Sequence, residues 1–315
     1  MNHDEGYNPD IIRAELVEEM EPGAPWQWRE VRPVPPPRQR RVWTPAILFV
    51  ATCLSTLFSG MLTASSEAGW FAAFVHGLWY AVPLMIILVC HEMGHFLQAR
   101  RYGVPASFPY FLPLPGSPFG TLGAFIVMGP RMGHRKALFD IGITGPLAGL
   151  VPTIIFLVVG LHYSGYDVRP RHGMLYGDPL LFKFLAKWIL HLPAGYEVIA
   201  HPMAFAGWVG LLITSLNLMP IGQLDGGHVL YALLRQKANR IATLLLYSAV
   251  VVVALDFKQL YVWMLMLILL IVMGPVHPPT ADDSEPLGAV RTVLGWLTLA
   301  FIIIGFTPTP LQVLP

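Results

Sequence analysis

Residues 84 to 101 read LMIILVCHEMGHFLQARR. An apolar run leads into His91, Glu92 and His95, and Arg100 and Arg101 close the stretch. Such a run belongs in hydrocarbon, where ionisable side chains cost free energy and therefore mark function, with partners to be sought elsewhere in the chain. On a helix, His91 and His95 stand at i and i+4 and project from one face, so both imidazoles can reach one Zn²⁺. Glu92 then lies beside the metal as a general base. The plain alternative is two buried histidines and a buried acid satisfied by hydrogen bonds.

The rest of the chain agrees with a membrane setting. Of 315 residues, 55% are hydrophobic and 12% charged, against about 25% charged in a soluble domain. A net charge of +1 gives no sign of nucleic acid or an acidic substrate. Cys53 and Cys90 both fall in apolar stretches and read as small buried hydrophobes, not as a disulfide. Residues 1–42 are polar, rich in early acids and Pro-rich near VRPVPPPRQRR. That is unlike a signal or transit peptide, so a flexible cytoplasmic tail is expected, with a short helix around DIIRAELVEEM.

Apolar segments lie at about residues 43–63, 77–99, 138–162, 198–218, 240–256, 259–273 and 292–307. The expected fold is therefore an all-α polytopic membrane protein of about seven transmembrane helices. Residues 43–273 would form its core, and residues 274–315 a loop and a last helix. Placing the N-terminus in the cytoplasm puts fifteen of the 20 Lys and Arg on inside flanks, as the positive-inside rule requires. Arg100 and Arg101 then mark the cytoplasmic interface, and His91 and His95 lie roughly 7 to 14 Å inward from it at about 1.5 Å per residue.

A hydrolytic zinc site takes three protein ligands and leaves one position for water. Two acids compete for the third place. Asp140, in KALFDIGITGPLAG, follows a basic cluster, where a local ion pair or interfacial hydrogen bonds would account for it. Asp225, in NLMPIGQLDGGHV, follows an apolar helix that stops at Asn217 and Pro220 before a Gly-rich turn. Irregular backbone at membrane depth is tolerated only where it is buried in protein or lines a wet cavity, so Asp225 is favoured. His228 is a rival ligand, read instead as a supporting or helix-start residue.

With both stretches in view, the chain resembles the site-2 protease family of intramembrane zinc metalloproteases, whose motifs are HExxH on one transmembrane helix and NxxPxxxxDG on a later one. His91, Glu92 and His95 meet the first; Asn217, Pro220, Asp225 and Gly226 meet the second. The resemblance covers roughly residues 77 to 230. It implies that His91, His95 and Asp225 bind one zinc per chain and that Glu92 is the catalytic acid and base. It also implies that Asn217 positions substrate or steadies the oxyanion. PDZ and CBS insertions common in the family do not fit the gaps of about 34 residues at 103–136 and 163–196.

Between the motifs, TLGAFIVM has strand composition bounded by Gly120 and Gly129. A short membrane-embedded β-hairpin is expected there. Its open edge at residues 120–128 would pair with an unwound substrate by strand addition; alternatively the hairpin only plugs the cavity. GPLAG, Gly145 to Gly149, reads as close helix packing. The expected function is hydrolysis of peptide bonds in or near transmembrane segments of other membrane proteins, in a multi-pass protein of a prokaryotic cell membrane. A metal-ion transporter, or an interfacial zinc protease acting on soluble peptides, are the alternatives.

Overall fold

The structure is a computed structural model and describes residues 42–64, 69–129, 134–168, 173–280 and 282–314. The expected N-terminal tail lies, apart from Val42, outside the described residues.

Helix α1 (Trp43–Leu62) is inside-out. Its buried face holds Thr52, Ser55, Thr56, Ser59 and Gly60, while Ile47, Val50, Leu54 and Phe58 are exposed. Lipid is as apolar as leucine, so membrane helices meet through small residues that let backbones approach. The hydroxyls of Thr52 and Thr56 donate to carbonyls one turn back at 2.8 Å, which leaves neither unsatisfied. Helix α2 (Trp70–Arg101) has 32 residues, about 48 Å of helix. It starts earlier than the run at 77–99 because Trp70 to Tyr80 continue it, with Trp70 and Phe71 exposed as an aromatic belt would be.

The stretch after α2 forms the expected hairpin. Strand β1 (Tyr110–Pro113) pairs antiparallel with β2 (Thr121–Phe125), in the register Tyr110↔Phe125 to Pro113↔Thr121 with a bulge after Leu112. Gly120, at φ +73°, lets the hairpin press on α1: a Cβ there would lie 2.6 Å from Thr56 Cα. Beyond Phe125, Met128 makes only an isolated bridge to Ala106, so the strand is shorter than the composition suggests. Leu122, Phe125 and Val127 remain exposed.

Helix α3 (Arg135–His162) packs between α2 and the broken pair α5 (Pro202–Asn217) and α6 (Asp225–Leu234). Between α3 and α5 come β3 (Gly165–Val168), β4 (Gly173–Tyr176), α4 (Leu180–Leu190) and β5 (Tyr196–Ile199). Leu180, Phe184 and Trp188 line one exposed stripe of α4 beside Lys183 and Lys187, the pattern of a helix lying in a membrane interface. Beyond α6 follow α7 (Lys237–Leu255), α8 (Phe257–Leu260), a 3₁₀ turn at Tyr261–Trp263, α9 (Met264–Met273), α10 (Ala289–Gly305) and β6 (Leu311–Leu314).

The fold is mostly helical with small β-hairpins, as expected in outline. Among the described residues, four helices are long and apolar enough to cross a membrane: α1, α2, α3 and α7. The other three apolar segments form shorter helices, α5, α9 and α10. Proline and glycine between Asn217 and Asp225 interrupt one of these segments, and the 3₁₀ turn interrupts another. The chain also holds more strand than the one expected hairpin. β3 pairs with β5 and β4 with β6, two further antiparallel pairs.

The loops sort into two groups. In one, β4 joins β6, and Trp263 Nε1 donates to Pro308 O at 2.7 Å. In the other, Arg135 donates to the carbonyls of Leu233 and Glu285, Lys136 pairs with Glu285 at 3.1 Å, and Arg291 reaches Asp140.

Candidate metal centre

Helix α2 carries His91 and His95 on one buried face, 3% and 5% exposed. Helix α3 presses glycine against that face. A Cβ on Gly145 would lie 1.9 Å from His95 Nε2, and one on Gly149 would lie 3.0 Å from His91 Cβ. The GPLAG spacing is packing, as expected, but what it packs against is the pair of imidazoles.

The protonation pattern follows from the backbone. The Ile141 carbonyl can only accept, so His95 Nδ1, 2.7 Å away, donates to it, and a neutral ring then turns the lone pair of Nε2 inward. Asp225, the first residue of α6, arrives from the opposite side. Its Oδ1 lies 3.1 Å from His95 Nε2 and its Oδ2 3.1 Å from His91 Nε2, while the two Nε2 atoms are 3.3 Å apart. The DG motif makes this approach possible. A Cβ on Gly226 would fall 1.8 Å from the Leu218 carbonyl oxygen, so only glycine lets the chain double back so tightly after α5.

These separations bear on the metal. Ligand atoms at about 2.0 to 2.1 Å from a tetrahedral Zn²⁺ are about 3.3 Å from one another. The three observed distances match that edge, and two imidazoles with a carboxylate are a donor set zinc takes. Oxygen lone pairs facing a nitrogen lone pair at 3.1 Å also call for a cation or a proton between them. The triad fits a zinc ion.

Two further residues border the centre. Asn217, the last residue of α5, has Nδ2 3.2 Å from His91 Nε2. Glu92 is 3% exposed and follows His91 directly on α2. The rivals for the third ligand position are engaged elsewhere. Asp140 accepts from Arg291 Nε and Nη2 at 2.8 Å each and from the Tyr102 hydroxyl at 2.5 Å. His228 turns its Nδ1 to His277 Nε2 at 2.6 Å. Sequence reasoning missed His277, because a histidine before two prolines after an apolar helix carries no spacing that points to a partner.

Comparisons with known proteins bear on the family. Residues 79–255 match the model of peptidase family M50. The probable zinc metalloprotease EGY2, chloroplastic, of Oryza sativa subsp. indica is 30% identical over 220 residues, 67% of this chain and 39% of that protein. The probable zinc metalloprotease EGY1, chloroplastic, of Arabidopsis thaliana is 29% identical over 235 residues, 72% of this chain and 42% of that protein. The chain thus spans about two fifths of the length of these curated relatives. No solved structure matches. The family match covers more than half of the chain, and with both motifs and their converging side chains in place, the chain belongs to peptidase family M50, the site-2 protease family.

Proposed function

We propose that the protein is an intramembrane zinc metalloprotease that hydrolyses peptide bonds in or near the transmembrane segments of other membrane proteins. The observation that carries this is the convergence of His91, His95 and Asp225, with edges of 3.1 to 3.3 Å, with both histidines on a helix long and apolar enough to cross a membrane. His91, His95 and Asp225 hold the metal. A Zn²⁺ held there would supply Lewis acidity, lowering the pKa of water toward about 7 and polarising a carbonyl. Glu92 takes the proton from the attacking water and later delivers it to the leaving amine nitrogen. Its burial beside the triad keeps it at the reacting atoms. The amide of Asn217 is placed to donate to the oxygen that becomes negative as water adds to the scissile carbonyl.

Seven segments cross the membrane in this proposal, with α5 and α6 together making the fourth crossing and α8 to α9 the sixth. Alternating crossings would put residues 165–199, 256–263 and 306–314 on one side, and the β4–β6 pair and the Trp263–Pro308 bond support that grouping. The contacts among Arg135, Leu233 and Glu285 support the other. The basic flanks make that second side cytoplasmic, so the centre lies near the cytoplasmic face. Chloroplastic relatives lend no support to a prokaryotic membrane in particular.

Substrate enters past the hairpin. Among the described residues the β1–β2 sheet has two strands, and β2 carries exposed Leu122 and Phe125. An unwound peptide adding to it would gain main-chain hydrogen bonds that a helical substrate lacks. Membership in a peptidase family weighs against metal transport. The deciding experiment reconstitutes the zinc-loaded protein in vesicles with a single-span reporter and a soluble peptide of the same cleavage sequence. Cutting of the spanning reporter is expected; cutting of the soluble peptide alone would make the protein an interfacial protease.

A further inference from the structure

Helix α6 starts abruptly. It follows irregular chain, its N-cap residue Leu224 makes no side-chain cap, and its first residue is Asp225. Something else must set its rotation, and the residues after α9 are in contact with it. Gly222 N donates to Pro275 O at 3.1 Å, just before the helix. His277 lies against its inner face, stacked on Tyr231 at 4.6 Å between ring centres. Tyr231 in turn donates to Asp283 Oδ2 at 2.9 Å. Asn239 clamps the backbone of His277 from α7, its Oδ1 accepting from His277 N at 3.0 Å.

The central link is the bond between His228 and His277, 6% and 4% exposed. The Pro278 carbonyl, 2.5 Å from His277 Nδ1, can only accept, so Nδ1 carries a proton. Burial pushes the His277 pKa down, which keeps the ring neutral and leaves Nε2 an acceptor. His228 Nδ1–H therefore donates to it across 2.6 Å. Asp225 and His228 stand at i and i+3 on one turn, closed by His228 N donating to Leu224 O at 3.0 Å. Fixing one side chain sets the direction of the other.

We propose that the strap of residues 274–280 is a positioning element for the metal centre, in which His277 holds His228 and so aims Asp225 at the two imidazoles of α2. This rests on His91, His95 and Asp225 being the metal ligands. His277 is a positioning residue and touches no reacting atom.

The test uses the full chain in metal-free form and measures zinc affinity by competition with a chromogenic chelator, together with thermal melting. Partners that orient ligands typically contribute about 10- to 100-fold in metal affinity, so His277→Ala should lower zinc affinity about tenfold or more. Glutamine places an amide oxygen near the position of Nε2, and asparagine places one near Nδ1. His277→Gln should accordingly bind zinc nearly as the parent does, and His277→Asn should bind as weakly as His277→Ala. Equal affinity in the Gln and Asn variants would overturn the proposal, even if the Ala variant fails to fold. His95→Ala separates the two readings: zinc lost there with all His277 variants unchanged removes the strap but keeps the centre. Zinc retained in His95→Ala removes the centre itself.

Discussion

Asp225 and Asp140 are equally sheltered, with side chains 15% and 17% exposed, yet they do different work. Asp140 faces donors that always carry protons, the guanidinium of Arg291 and the hydroxyl of Tyr102. The carboxylate is satisfied, and the cluster locks the ends of α2, α3 and α10 together. Asp225 faces two imidazole nitrogens, one of them turned inward as a lone pair by the Ile141 carbonyl. A carboxylate opposite acceptors is a binding site for a cation, whereas a carboxylate opposite donors is a finished bond. Burial alone does not tell the two apart; the partners do.

The largest effect expected from this contrast is chemical. Glu92→Gln keeps the shape but accepts no proton, so zinc should stay while cleavage of a membrane-spanning reporter falls by at least about a hundredfold. Asp225→Ala should lower bound zinc from one per chain to background with little change in melting, and Asp140→Ala should do the reverse. Metal analysis and melting curves on the two purified variants check the pair. Loss of zinc from Asp140→Ala at unchanged occupancy in Asp225→Ala would invert the comparison.

Next in size is the glycine contact that brings α3 against the imidazoles. Gly145→Ala places a methyl where His95 Nε2 now lies. Overpacking of this kind costs about 1 to 3 kcal/mol, which as zinc affinity is a loss of about 5- to 150-fold. Gly165→Ala, with nothing within 4 Å of its added carbon, is the control and should bind zinc normally. For the lock, Asp140→Asn should cost about 1.5 to 3 kcal/mol of stability, the range for hydrogen bonds to charged groups, with zinc affinity unchanged.

The smallest effect concerns the hairpin and depends on substrate. Ala124→Pro removes a main-chain donor from β2, whereas Ala124→Ser keeps it. Cleavage of a strongly helical substrate should suffer more from the proline than cleavage of one with helix-breaking residues at its cut site. Equal rates in all four combinations of zinc-loaded variant and substrate would leave the hairpin as a plug.

Much of the centre is legible in the sequence, because ligand chemistry resides in residue type and short spacing. His91 and His95 share a face by helical period alone, and Pro220 announces that the helix before Asp225 must break. The hairpin was legible from Gly120 and a β-rich run, though its strand ended early at Phe125. The pairings β4 with β6 and β3 with β5 were not, since strands of four residues are too short to show an alternation that points to a partner. The span count stayed open for a related reason: length in residues marks α1, α2, α3 and α7, but α5, α9 and α10 fall short by themselves.

By itself, then, the sequence determined the membrane setting, the two motifs, the three side chains proposed as ligands and the preference for Asp225. These rest on composition and on contacts within a few residues, which period and propensity control. Only the tertiary structure decided where Asp140 is used, what Gly145 touches and what holds α6. The Arg291–Asp140 bond spans 151 residues and the His277–His228 bond spans 49. Nothing local announces such partners, because each side chain is satisfied by a group whose position is set by how whole helices pack.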